Sequence, residues 1–99
     1  MRVCLLASGS KGNAIYVESR RSRILIDAGL SAREIRKRLA VIGVHAEDLD
    51  AIFVTHEHSD HIRGLGPLAR MCQLPVYLHH QTRAALSDIG RLPIVEEFD

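Results

Sequence analysis

Three histidines and an aspartate, His56, His58, Asp60 and His61, fall within six consecutive positions directly behind the apolar run Ala51-Ile52-Phe53-Val54. All four side chains are of metal-ligating type: imidazole suits zinc, iron, nickel or manganese in differing degree, and a carboxylate adds a harder donor. Side chains alternate along an extended segment, so His56 and His58 converge on one cation. Asp60 and His61 follow after the chain has begun to turn and face a neighbouring position. Two ions about 3.5–4 Å apart share an activated water and grip the attacking and leaving oxygens of a displacement. A lone histidine reads as a surface residue, but this density of ligand types behind a strand reads as a metal centre. His56-Glu57 also opens a zincin-like pattern, which requires a second His at position 60 where this chain has Asp60.

The elements that position these residues follow from hydrophobic patterning. Residues 3–7 form a short apolar run that predicts a buried strand, broken by the turn-forming cluster Ser8-Gly9-Ser10-Lys11-Gly12-Asn13. Residues 14–18 and 24–26 read as two strands joined through residues 19–22, with Asp27-Ala28-Gly29 ending the second. Ser31-Ala32-Arg33-Glu34 has capping-box spacing, and Ala32, Ile35, Leu39 and Ile42 recur at helical intervals up to a stop at Gly43. Residues 49–54 form the strand that feeds the ligand loop. Pro67 sits in the first turn of a further helix with the stripe Leu65, Leu68, Ala69 and Cys72. Residues 76–78 read as a strand, 82–89 as a helix closed by Gly90, and 92–95 as the start of another strand. Strands and helices alternate from residue 22 onward, which predicts an α/β fold.

The chain has 99 residues, 46% of them hydrophobic and 25% charged, which suits one modest globular core made mostly of aliphatic side chains. The net charge of +1 conceals an asymmetry: residues 1–45 carry nine Lys/Arg against three Asp/Glu (+6), and residues 46–99 four against nine (−5). A basic half suits an anionic substrate such as a phosphodiester. The plainer reading makes residues 20–23 a solvated hairpin tip and residues 36–38 a solvated helix face. Cys4 and Cys72 lack metal-ribbon or CxxC spacing and read as small buried hydrophobes. There is no leader pattern and no apolar run near the roughly 20 residues that span a bilayer, so a cytoplasmic protein without membrane contact is expected. The turn at residues 8–13 offers backbone N–H groups to a phosphate or simply connects two strands; the tight connection is the better reading. His45, His79 and His80 read as loop or helix-start residues.

The segment Thr55-His56-Glu57-His58-Ser59-Asp60-His61 with Gly64 resembles the signature of the metallo-β-lactamase-fold hydrolases. Ser8-Gly9-Ser10-Lys11-Gly12-Asn13 and Ile24-Leu25-Ile26-Asp27-Ala28-Gly29-Leu30-Ser31 extend the likeness toward the YycJ/WalJ-like branch, whose members are associated with DNA exonuclease activity. The resemblance implies the N-terminal half of an αβ/βα sandwich, a mixed sheet flanked by helices, with residues 1–99 as a single incomplete domain. It assigns His56 and His58 to a first metal site and Asp60 and His61 to a second. Zn2+ is the expected cofactor, two ions per complete site, with Mn2+ or Fe2+ as substitutes. Asp60 is the expected catalytic residue, holding the second ion and orienting the hydroxide generated there. Asp27 is either a carboxylate that orients a ligating imidazole or a turn residue before Gly29, and Asn13 is expected close to the site. Family members continue with another His, a bridging Asp and a final His beyond this chain. The implied activity of a complete domain is phosphodiester hydrolysis on DNA. The alternatives are glyoxalase- or lactonase-like ester and thioester hydrolysis, and an inert fragment or interaction module. Nucleic acid is the expected partner, with self-association through an exposed sheet edge.

Overall fold

The computed structural model describes residues 1–56, 58–86 and 90–98. Six strands form one mixed sheet in sequence order: β1 (Arg2–Ala7), β2 (Ala14–Glu18), β3 (Arg23–Ile26), β4 (Ala51–Val54), β5 (Pro75–His79) and β6 (Ile94–Phe98). The first three run antiparallel, and β3 to β6 are mutually parallel. The parallel half needs crossovers. These are supplied by α1 (Ala32–Val41), by α2 (Ser59–Ile62) with α3 (Leu65–Cys72), and by α4 (His80–Ala85).

Register explains the core. Cys4, Tyr16, Leu25, Ile52, Val76 and Val95 are successive cross-strand partners, so one apolar row crosses the whole sheet on one face. Ile35 and Leu39 of α1 and Leu65 and Leu68 of α3 are fully buried in the same cluster as this row. Burying each such side chain contributes about 1.5–3 kcal/mol. α1 starts where the sequence predicts: Ser31 Oγ accepts the Glu34 N–H at 3.2 Å. Glu34 does not complete the reciprocal half of a capping box with its carboxylate; Glu34 Oε1 instead accepts from Arg38 Nε at 3.1 Å. The helix ends at a left-handed Gly43, with Val44 N–H bonded to Leu39 O and Gly43 N–H to Ala40 O.

Four expectations need correction. β1 is not a buried strand: it lies at the sheet edge with Val3 62% and Leu5 63% exposed. The helix expected over 82–89 begins earlier, at His80, because His79 Nδ1 accepts the Gln81 N–H and starts it; residues 87–89 lie outside those described. The last strand begins at Ile94, after Pro93. Residues 36–38 are not merely a solvated face, since Arg36 pairs with Glu47 at 2.7 Å and Arg38 donates to Leu6 O at 2.6 Å. Cys4 and Cys72 are free thiols, only partly buried. Burial pushes the Cys72 thiol up, with Glu47 adding to the effect. Among the described residues no helix is long and apolar enough to cross a membrane.

Candidate metal centre

Parallel strands β3 and β4 end side by side, and the candidate residues leave from those ends. Asp27 follows β3 with φ at 65°, a left-handed conformation that Asp tolerates better than most residues. Its N–H is bonded to Phe53 O at 2.7 Å, which ties the turn to β4. The carboxylate of the buried Asp27 therefore faces the first residue after β4. Thr55 N–H donates to Asp27 Oδ1 at 2.8 Å and Thr55 Oγ1 to Asp27 Oδ2 at 2.6 Å. His61 Nδ1 lies 2.7 Å from the same Oδ2.

This arrangement assigns the Nδ1 side of two rings. Beside an ionised carboxylate, which only accepts, His61 Nδ1 is the donor, and in the neutral ring Nε2 is then the acceptor nitrogen. Thr55 has one hydroxyl proton, which it gives to Asp27; His56 Nδ1, 2.9 Å from Thr55 Oγ1, must then be the donor of that pair. In the neutral His56 ring Nε2 is likewise the acceptor nitrogen. The His56 and His61 ring centres are 4.8 Å apart. His61 Nε2 lies 3.6 Å from Asp60 Oδ2, near the roughly 3.4 Å between two donors that share a tetrahedral ion.

Three loops clamp this group. Asn13 N–H donates to Asp60 O at 2.7 Å, Gly29 N–H to Asn13 O at 2.9 Å, Ala28 N–H to His61 O at 2.8 Å and Gly64 N–H to Ala28 O at 2.7 Å. The approach is so close that a Cβ on Gly29 would collide with the Asp60 carbonyl, and one on Gly64 with the Leu30 carbonyl. Within the 8–13 turn, Gly12 N–H bonds Gly9 O and Gly9 N–H bonds Asn13 Oδ1, so these amides are spent on the connection.

The structure thus brings together Asp27, His56, Asp60 and His61 and leaves His58 further out. The His58 ring centre is 6.2 Å from that of His56, and the side chain is exposed. Among the described residues no three His, Cys, Asp or Glu side chains close on a single point. Glu57 lies outside the described residues. The donor types fit a divalent cation in kind. The His79 and His80 rings lie tilted against each other with centres 4.3 Å apart at the start of α4, and His45 precedes a 3-10 turn over Ala46–Asp48, so all three keep the roles read for them. Asp27 is a turn residue with a left-handed φ and also a hydrogen-bond partner of the His61 imidazole. Sequence reasoning missed Thr55, whose hydroxyl links the two histidines, and the packing roles of Gly29 and Gly64. The basic cluster at residues 20–23 joins β2 to β3 at the end of the sheet opposite the site, so proximity does not make it a substrate anchor.

The chain is similar to known proteins along most of its length. Over 84 residues it is 49% identical to exodeoxyribonuclease WalJ of Streptococcus pneumoniae serotype 2, an alignment covering 85% of this chain and 31% of the relative. It is 44% identical over 95 residues to exodeoxyribonuclease YycJ of Bacillus anthracis, covering 95% of this chain and 36% of that one. The chain therefore spans about a third of the length of these relatives. A solved Cronobacter sakazakii metallo-beta-lactamase superposes with a TM-score of 0.76 at 24% identity, over 94% of this chain and 41% of that chain, a likeness of fold. Residues 7–98 match the metallo-beta-lactamase superfamily, and the chain belongs to that superfamily.

Proposed function

We propose that this chain carries the ligand-bearing part of a metal-dependent phosphodiesterase that acts on DNA as an exonuclease. Superfamily membership implies a divalent metal. On this reading His56 and His58 hold one Zn2+, and Asp60 and His61 a second. The observation that carries it is the hydrogen-bond chain from Asp27 through Thr55 to His56 and directly to His61, which engages Nδ1 of both rings and leaves Nε2 of each as the nitrogen available to a cation, with His61 Nε2 3.6 Å from Asp60 Oδ2. The similarity to two exodeoxyribonucleases supports DNA as the substrate class. A cytoplasmic location is consistent with that substrate.

A divalent cation held by these residues would supply Lewis acidity, making water a competent nucleophile near neutral pH and offsetting charge on the phosphate oxygens. The chain's own residues do the remaining work. Asp27 keeps the His61 proton on Nδ1, Thr55 does the same for His56, and the clasp of residues 13, 29 and 60 holds Asp60 beside His61. Asp60 would orient the attacking water by accepting a hydrogen bond from its O–H. Such preorganised groups act where charge develops.

The test is hydrolysis of single-stranded DNA by the Zn2+- or Mn2+-loaded full-length protein, with a thioester assayed in parallel. Stepwise release of nucleotides, abolished by Asp60→Ala, is the expected result. Thioester turnover without DNA cleavage overturns the substrate class and favours the ester-hydrolase alternative. The wide His58 position favours one further reading, that these 99 residues alone are catalytically inert. Stoichiometric metal with turnover on the 99-residue chain would defeat it.

A further inference from the structure

Asp60 lies in α2, a helix of four residues, too short to hold its own side chain in place. What grips it comes from 47 positions earlier in the chain. The half-buried Asn13 carboxamide places Nδ2 at 3.0 Å from Asp60 Oδ2, 3.1 Å from Asp60 O and 2.9 Å from Gly9 O. Its Oδ1 accepts the Gly9 N–H at 3.2 Å. Three oxygens surround the nitrogen and one N–H faces the oxygen, so the amide orientation is dictated by its partners.

Chemistry favours asparagine for this task. A carboxylate oxygen accepts more than one partner, so Oδ2 takes the Asn13 N–H and still faces His61 Nε2. The donor is uncharged. A lysine or arginine in its place would pair with Asp60 as a counter-ion and oppose a second positive charge there. We propose that Asn13 is a positioning residue that holds the Asp60 carboxylate toward the cation it shares with His61. This rests on the metal-centre reading of His56, His58, Asp60 and His61.

The side chain's role is separable from the backbone's. Asn13→Ala keeps Asn13 N–H to Asp60 O and Gly29 N–H to Asn13 O, so the loops stay clasped while the carboxylate is freed. Asn13→Asp keeps the shape and the acceptor toward Gly9 but sets an oxygen against Asp60. The experiment titrates the 15N-labelled full chain with Zn2+ and follows the imidazole nitrogens of His56, His58 and His61 separately by NMR. In both variants the Zn2+ concentration that shifts the His61 ring rises roughly 10–100-fold, the usual effect of removing a group that supports a ligand. The His56 and His58 rings respond within about twofold of the parent. If one variant fails to fold, as judged by its thermal melt, the other decides. Unchanged His61 response in a folded variant, or equal weakening at all three rings, overturns the proposal while leaving the metal centre standing. Absence of any Zn2+ response in the parent chain overturns both.

Discussion

At the scale of single residues, the Asp27 carboxylate has the most demanding position. It receives three donors, Thr55 N–H, Thr55 Oγ1–H and His61 Nδ1–H, on a side chain only 7% exposed. An amide cannot replace it, because Asn would turn an NH2 toward at least one of those donors. Asp27→Asn is expected to weaken Zn2+ binding by about 10–100-fold and to shift the His61 ring toward the Nε2–H tautomer. Calorimetric titration and ring 15N shifts check this, and wild-type affinity with an unchanged tautomer would sink it. The candidate ligands could be proposed from the sequence because His56, His58, Asp60 and His61 are neighbours in the chain. Thr55 could not, since its meaning lies in a carboxylate 28 positions away. Gly29 was equally opaque: it reads as a turn residue, and only the contact with the Asp60 carbonyl reveals why a side chain is excluded.

At the scale of elements, local rules were reliable where local forces dominate. α1 carries its own start signal, so Ser31→Ala is expected to cost about 1 kcal/mol, measurable as a lowered midpoint in urea without a change in slope. The edge strand β1 was misread because a run of apolar residues looks the same whether one face or two are covered. β2 illustrates a contribution that only tertiary structure supplies. The buried Tyr16 donates its hydroxyl to Glu18 Oε1 at 2.6 Å, beside Arg2 and Arg23. That hydrogen bond, followed by the charge of Arg2, holds the Glu18 carboxyl below the usual range. A carboxyl lowered on folding stabilises the protein above its unfolded pKa, and the contribution is lost as pH falls through the folded value. Tyr16→Phe should therefore be less stable than the parent at neutral pH, with the gap narrowing below about pH 4. Thermal melts across pH 3–7 test the sign; a gap that widens on acidification would refute the assignment.

At the scale of the whole molecule, the two faces of the sheet are unequal. One is covered by the buried residues of α1 and α3. On the other, Leu5, Ile15, Ile26, Phe53 and Tyr77 are successive cross-strand partners across five strands, and Phe53 stacks on Tyr77 at 4.8 Å. Val3 is 62% exposed on the same face, and Ile94 and Phe98 at the β6 edge are 48% and 47% exposed. Soluble monomers rarely leave a contiguous apolar patch of more than a few hundred Å² facing water. The isolated chain should therefore self-associate, with a sedimentation coefficient that rises with concentration and rises further in sulfate, which strengthens apolar burial. Face and edge pairing separate cleanly. Lysines at Leu5→Lys and Tyr77→Lys charge the open face without touching the backbone donors of β1 or β6, so face-to-face association disappears while edge-to-edge pairing survives. A chain that stays monomeric throughout would mean that this face is satisfied in water, and the apolar row would then need another explanation.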